Sequence, residues 1–387
     1  MNVEMWEEKR KMSEIKEMFS KKLGFGCMRL PIVGEDNTKI DDEAFKKMVD
    51  SYLEQGFTYF DTAYPYHGGK SEEAVRRCLV ERYPRERFYL ADKMPVWEVK
   101  KKSDMEEIFQ TQLKRCGVDY FDFYLLHAMN HDRMKEVEKL GGVEYLLQMK
   151  AKGHIRHLGF SFHDTAEALE EILKNHPELE FVQLQLNYYD WESENVQSRK
   201  CYEVAEKYNK PVIVMEPVKG GMLANMIGEP KRILEELDAK ASAASFAIRY
   251  VASLENVFMV LSGMSNQEQL EDNTSYMREF KPLTEQEQKA IEKVVEELQK
   301  VPTIACTKCR YCVEGCPMKI QIPNVFWAKN FANRFGVNEQ TRKGYAEAVR
   351  EHGKASDCIK CGKCEGQCPQ HLEIRSLLEE AAKTFEA

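Results

Sequence analysis

Two short runs near the C-terminus constrain this chain more than any other feature: Cys306-x2-Cys309-x2-Cys312-x3-Cys316-Pro317 and Cys358-x2-Cys361-x2-Cys364-x3-Cys368-Pro369, the same spacing twice. Three thiolates at intervals of three residues, on a curling backbone, reach three corners of one iron–sulfur cube, and a fourth cysteine followed by proline leaves toward a second cube. The runs therefore predict two 4Fe-4S clusters with crossed ligation. Cys306, Cys309, Cys312 and Cys368 would hold one, and Cys358, Cys361, Cys364 and Cys316 the other. Such ligation clips the ends of the segment together and leaves it little freedom of fold. Eight of the 12 cysteines lie here, and the composition changes near Val301-Pro302. The expected organisation is residues 1–22 as an exposed N-terminal arm or helix, 23–300 as a first domain and 301–387 as a second.

Zinc is the competing reading of the cysteines. A zinc site uses two C-x2-C pairs a dozen or more residues apart, and has no use for a third cysteine at the same interval or for the trailing Cys-Pro. A c-type haem needs C-x-x-C-H, which does not occur. Met1 to Lys22 lacks the apolar stretch of a secretory signal, so a cytoplasmic location is expected and disulfides are disfavoured. Over both runs the segment resembles the two-cluster bacterial ferredoxins. The 41 residues Pro317 to Asp357 between the runs exceed the usual spacer and read as helical around Trp327 to Arg350. The closer similarity is thus to the helical ferredoxin modules of respiratory dehydrogenases and reductases, which implies electron transfer.

Charge removes other classes of function. The chain has 56 Lys+Arg against 64 Asp+Glu, net −8. From Val301 onward there are 13 basic and 10 acidic residues, a balance of +3, which leaves −11 on the first 300. Neither part offers the dense basic face that a phosphate backbone requires, so nucleic acid is not the expected partner. Every apolar run is broken well short of the roughly 18 to 20 residues of a membrane span.

The first 300 residues alternate strand and helix. Runs rich in β-formers occur at Leu23–Met28, Thr58–Ala63, Phe88–Met94, Phe121–His127, Ile155–Phe162, Phe181–Leu186, Val212–Glu216 and Val257–Ser262. Stretches of helical period lie between or after them at Asp41–Gln55, Ser71–Arg82, Asp104–Cys116, Arg133–Ala151, Ala166–Asn175, Ser193–Tyr208, Ala239–Ala252 and Gln267–Arg278. Eight repeats of strand then helix predict a (β/α)8 TIM barrel, with a doubly wound sheet as the alternative; the absence of G-x-G-x-x-G after a strand counts against the latter's dinucleotide-binding form. Barrel chemistry sits at the C-terminal ends of the strands. There the sequence places Asp61, Tyr66 and His67, Lys93, His127, Ser161 and His163, Gln183 and Asn187, and Glu216 to Lys219. Ionisable groups ending apolar strands are costly unless they pair, so an acid, a lysine, a histidine and a tyrosine converging on one mouth suggest a site. His67, His131 and His163 read as solvated or substrate-lining rather than as a metal site, and Trp97 and Trp191 as pocket walls or surface packing. The early cysteines Cys78, Cys116 and Cys201 read as apolar fillers, with Cys27 alone ending a strand that could face the site.

At these residues a resemblance is visible. Leu23-Gly24-Phe25-Gly26-Cys27-Met28-Arg29-Leu30, Phe60-Asp61-Thr62-Ala63-Tyr64-x-Tyr66 with Ser71-Glu72, Lys93, Leu125-Leu126-His127 and the Gln267–Asn273 segment are similar to the signatures of the aldo-keto reductases, covering Leu23 to Tyr276. The resemblance implies that Tyr66 donates a proton to a substrate carbonyl, Lys93 lowers the tyrosine's pKa, Asp61 pairs with Lys93 and His127 orients the oxygen. It implies nicotinamide contacts from Ser161 and Gln183, and puts Met215, followed by Glu216, where the family stacks an aromatic ring. Gly263, Ser265 and Gln269 stand where a Lys and an Arg often clamp the 2′-phosphate, and Asp272 and Asn273 match adenine contacts. Without those cations, NADP and NAD both remain open. The expected partners are a small carbonyl or alcohol substrate and a ferredoxin or other electron carrier feeding the tail. That tail continues from a helix at Thr284–Lys300, about where the family folds a loop over the substrate mouth. A hydride moves two electrons and a 4Fe-4S cluster one, so a flavin would bridge them, although no flavin motif is present. A second reading is a redox-sensing, nicotinamide-binding protein in which the clusters are structural or oxygen-responsive.

Overall fold

Eight parallel strands close on themselves in sequence order in a computed structural model that describes residues 15–34 and 36–386. They are β1 (Leu23–Gly26), β2 (Tyr59–Asp61), β3 (Tyr89–Met94), β4 (Phe121–Met129), β5 (Ile155–Phe162), β6 (Phe181–Gln185), β7 (Val212–Met215) and β8 (Val257–Ser262). Closure is made by β1 against β8, with Leu23 opposite Val260 and Phe25 opposite Ser262, so an open doubly wound sheet is excluded. Strands covered on both faces read as continuous apolar runs, and β4 is buried along its whole length. The register aligns the functional ends: Asp61 lies opposite Ala91, Lys93 opposite Leu125 and Ser161 opposite Gln183.

The other end of the cylinder is closed from an unexpected direction. Residues 1–14 of the expected N-terminal arm lie outside the described residues, but Ile15 and Phe19 are buried. Phe19 meets Tyr59 edge-on at 5.6 Å and Tyr89 at 4.8 Å, and it also touches Phe123 and Phe258. These rings stand near the N-terminal ends of their strands, so this stretch plugs the lower mouth instead of lying exposed. Its apolar residues cover surface that would otherwise meet water. The helix expected at Arg133–Ala151 is two helices, His131–Lys139 and Gly142–Ala151, because Gly141 at φ +68 takes the left-handed conformation that ends the first.

Residues Met1–Pro217 with Ala244–Thr284 form one unit, and Val218–Ala243 with Glu285–Ala387 form a second. The boundary expected at 300/301 therefore falls inside the second unit. Helix Glu285–Gln299 presents Ile291, Val294 and Leu298 and lies with helix Glu229–Leu237, an element the sequence reading missed. The spacer between the cysteine runs is helical as expected, but in two pieces, Ile322–Phe335 and Glu339–Val349; the Asn338 side chain caps the second, accepting from Thr341 N at 3.0 Å. With Ile374–Phe385 they enclose a core of Ile320, Ile322, Val325, Phe326, Ile374 and Leu378, and the Tyr345 and Phe385 rings stack at 4.6 Å. Among the described residues no helix is long and apolar enough to cross a membrane.

Candidate active site

Adjacent strand ends bring Asp61, Lys93 and His127 together, and the turn after β2 adds Tyr66. Lys93 Nζ is fully buried; it donates to Asp61 Oδ1 at 2.6 Å and to the Thr62 carbonyl at 2.8 Å, and lies 3.4 Å from the Tyr66 hydroxyl. The same ammonium sits 5.0 Å from the centre of the Tyr66 ring. Tyr66 meets His127 edge-on at 6.0 Å, and Trp97 lies 5.0 Å from His127, which makes Trp97 a wall of this site. Burial, then the Lys93 charge, holds the His127 imidazole well below its usual range, so it is neutral at physiological pH.

Burial pushes the Tyr66 phenol well above its ordinary range, and the Asp61 charge adds to the shift. The consequence is a phenol that keeps its proton at neutral pH, which is the form an acid requires.

Behind the four residues lies a layer in which the sequence reading did not single out Asp92. Asp92 and Glu72 are both fully buried, with Glu72 held by Arg115 at 3.0 Å. Asp92 Oδ1 accepts from Lys93 N at 2.8 Å, and Gln112 Nε2 donates to the Lys93 carbonyl at 3.0 Å, so both backbone groups of the lysine are fixed. Burial, then the charge of Glu72, raises Asp92 well above the carboxylate range, and Glu72 is raised by burial as well. Two buried carboxyls beside one guanidinium resist ionising together, so one proton between them is expected. The available signal was an acid directly preceding Lys93 on an apolar strand.

The expected nicotinamide contacts divide. Gln183 and Met215 meet, Gln183 Nε2 lying 3.5 Å from Met215 Sδ, while Gln183 Oε1 is buried with no hydrogen-bond partner. A buried orphan acceptor costs about 1–3 kcal/mol unless a donor arrives, and a carboxamide NH2 would supply one. Ser161 Oγ accepts from Ala128 N at 2.7 Å. Ser265 Oγ donates to the Arg29 carbonyl at 2.8 Å, Ser265 N donates to Gln269 Oε1 at 2.8 Å, and a side chain on Gly263 would meet Arg29 at 3.2 Å. Arg29 in turn reaches Glu216 at 3.4 Å, which gives this rim a cation that sequence reasoning did not assign. The Asn273 amide donates to Ser262 Oγ at 2.9 Å and accepts from Tyr276 Oη at 2.6 Å. Asp272 lies beside it, partly exposed. His67 is structural, accepting from Leu30 N at 3.0 Å through Nε2 and bonding the Asn37 carbonyl through Nδ1.

In the second unit a pocket is lined by Cys316, Cys358, Cys361 and Cys364, together with Met318, Ile359 and Arg375. Cysteines of both runs thus face one space. Burial raises the Cys364 thiol to about 11, helped by Glu365 and Cys358. Cys312 is raised by burial and then by Cys309, Cys306, Cys368 and Cys364, cysteines of both runs. Among the described residues no three His, Cys, Asp or Glu side chains close to the spacing of a single ion. A cubane spans such a gap with its own corners, so the four-thiol cavity fits the group. Gly220, at φ +63, approaches the first run so closely that a Cβ there would lie 2.6 Å from the Thr307 carbonyl oxygen.

Comparison with known proteins follows the same division. A family model described as the aldo/keto reductase family matches residues 22–296, and one described as a 4Fe-4S dicluster domain matches 305–373. An aldo-keto reductase of Mycobacterium avium is 26% identical over 247 residues, 63% of this chain and 80% of that protein. Relatives in Mycobacterium tuberculosis and Mycobacterium bovis align over only 145 residues, 49% of their length. Among solved structures, an aldo-keto reductase from Bacillus halodurans in its holo form superposes with a TM-score of 0.55 at 26% identity, covering 70% of this chain and 91% of that one. An aldo-keto reductase from Klebsiella pneumoniae in complex with NADPH has a TM-score of 0.56 at 19% identity, covering 71% and 90%.

Proposed function

The chain belongs to the aldo/keto reductase family and carries a 4Fe-4S dicluster domain, and we propose that its barrel reduces a small carbonyl, or oxidises the corresponding alcohol, in the cytoplasm with NADP(H) or NAD(H). The observation that carries this reading is the buried Lys93 ammonium, 2.6 Å from Asp61 and 3.4 Å from the Tyr66 hydroxyl at the catalytic mouth of the barrel. A bound nicotinamide supplies the hydride for the carbonyl carbon. Tyr66 gives its proton to the carbonyl oxygen, and Lys93 stabilises the phenolate that remains, the state in which a nearby cation has most to offer. Asp61 keeps Lys93 in place, and neutral His127 donates a hydrogen bond that orients the oxygen. Gln183, with its unpartnered Oε1, would hold the carboxamide beside Met215. The holo form of the Bacillus halodurans neighbour supports a resident cofactor.

We assign the eight late cysteines to two clusters, Cys306, Cys309, Cys312 and Cys368 for one and Cys316, Cys358, Cys361 and Cys364 for the other, as an electron inlet from a ferredoxin-like carrier. The clusters would supply one-electron steps, held by these eight thiols. The test of the barrel chemistry is Tyr66→Phe in anaerobically reconstituted protein, assayed with NAD(P)H over a carbonyl panel. Loss of about 10²-fold or more is expected, and an unchanged rate takes Tyr66 out of the mechanism. Equal turnover after Cys306→Ser and Cys358→Ser would remove the inlet role.

A further inference from the structure

The two cysteine runs differ in how they meet solvent. Cys309 of the first is half-buried, whereas Cys361, at the same place in the second, lies at the surface; Cys312 and Cys364 are both buried. Around Cys361 the cavity rim carries Ile359, 60% exposed, and Met318, 36% exposed. Apolar side chains standing in water beside a redox site form a contact surface in waiting, small enough for the brief encounters by which carriers exchange electrons. The charge around this rim is positive. Lys360 reaches Glu379 at 3.2 Å and Arg375 reaches Glu365 at 2.7 Å, so those cations are largely compensated. Lys319 and Lys363, both exposed, form no ion pair among the described residues. They flank the second cluster's ligands in sequence, Lys319 three residues after Cys316 and Lys363 between Cys361 and Cys364. The first unit carries a net −9 and would repel an acidic protein, while the second carries +1. Long-range forces would therefore steer an acidic partner to this part of the chain.

We propose that the rim formed by Met318, Lys319, Ile359, Lys360 and Lys363 docks an acidic one-electron carrier protein, so that the cluster of Cys316, Cys358, Cys361 and Cys364 is the first to be reduced. The proposal rests on the reading of the clusters as an electron inlet. The step is an outer-sphere transfer: the carrier loses one electron, the oxidised cluster gains it, and no bond or proton changes hands.

The probe is a reduced plant-type 2Fe-2S ferredoxin, an acidic carrier, mixed with the oxidised, iron-replete holoprotein in stopped flow while visible bleaching of the clusters is followed. Dithionite serves as a small donor that needs no docking surface. Lys319→Glu/Lys363→Glu is expected to lower the second-order rate with ferredoxin by about tenfold or more at low ionic strength and to leave the dithionite rate and the EPR midpoint potentials unchanged. The wild-type rate should fall as salt is raised. Lys363→Gln, which removes one charge without reversing it, should show a smaller loss and covers the case in which the double variant does not assemble its clusters. Equal ferredoxin rates in wild type and variants, or a wild type reduced by dithionite but not by ferredoxin, would overturn the docking surface. Full iron content with no reduction even by dithionite would instead overturn the inlet reading on which it rests.

Discussion

Replacing Lys93 by Met tests the buried centre of the site. The substitution keeps most of the side chain's volume and removes a fully buried ammonium, leaving Asp61 almost fully buried with Oδ2 unpartnered and Oδ1 deprived of its 2.6 Å donor. Breaking a buried ion pair from one side costs about 3–5 kcal/mol, a large part of the roughly 5–15 kcal/mol by which a domain is stable. The sign of the pH dependence follows from Asp61, whose carboxyl burial raises even with Lys93 present. Without the lysine nothing opposes that burial, so the folded pKa rises further above the unfolded value near 3.9. A carboxyl with a raised folded pKa favours the native state in acid and loses that advantage as pH rises toward the folded pKa, by up to about 1.4 kcal/mol per pH unit. The variant should therefore lie nearest to wild type around pH 4 and fall progressively below it toward pH 7. Urea unfolding followed by the fluorescence of Trp97 and Trp191, with unchanged m, measures this, and Lys93→Met/Asp61→Asn should recover part of the loss. A cost below about 1 kcal/mol that does not vary with pH would refute the buried pair.

Two further outcomes follow from the geometry. Asp92→Asn mimics the protonated acid; wild-type Asp92, raised by burial, contributes most below the unfolded pKa near 3.9 and progressively less as pH rises toward its folded value, so the variant's urea midpoints should be flatter from pH 4 to 7, and an unchanged slope would reject a shared proton. Cys309→Ser and Cys361→Ser should each lower iron from about eight to about four per chain in an anaerobic preparation, with loss of one EPR signal apiece, whereas loss of all iron from either variant would contradict two independently filled sites.

The barrel was legible because strands buried on both faces leave continuous apolar runs, and the convergence of Asp61, Lys93 and His127 because they end such runs, where only a paired or functional group is tolerated. The cysteine spacing was legible for a similar reason: thiols at so short an interval need a common ligand. What escaped depended on partners distant in sequence. The stripe Ile291, Val294 and Leu298 announces a buried helix face but does not say what buries it, so its grouping with the second unit was not legible. Ile15 and Phe19 sit in a stretch so charged that it reads as exposed, yet two apolar residues suffice to close a barrel mouth already lined by Tyr59, Tyr89 and Phe123.

Electron counting joins the two units and yields a last prediction. The barrel chemistry moves a hydride, two electrons with one nucleus, whereas each cubane releases electrons singly. Two reduced clusters hold the right number but cannot deliver them as hydride, and neither Tyr66 nor Lys93 can store an electron. An inlet therefore requires a group that accepts electrons one at a time and gives them up as a pair, and an isoalloxazine is the common cofactor with that property. If the tail feeds the barrel, protein purified without air should hold about one flavin per chain beside its iron, measured by extraction and absorbance. A preparation full of iron, active with NAD(P)H and free of flavin would separate the two chemistries, and the dicluster domain would then have to serve a reaction other than the one at Tyr66.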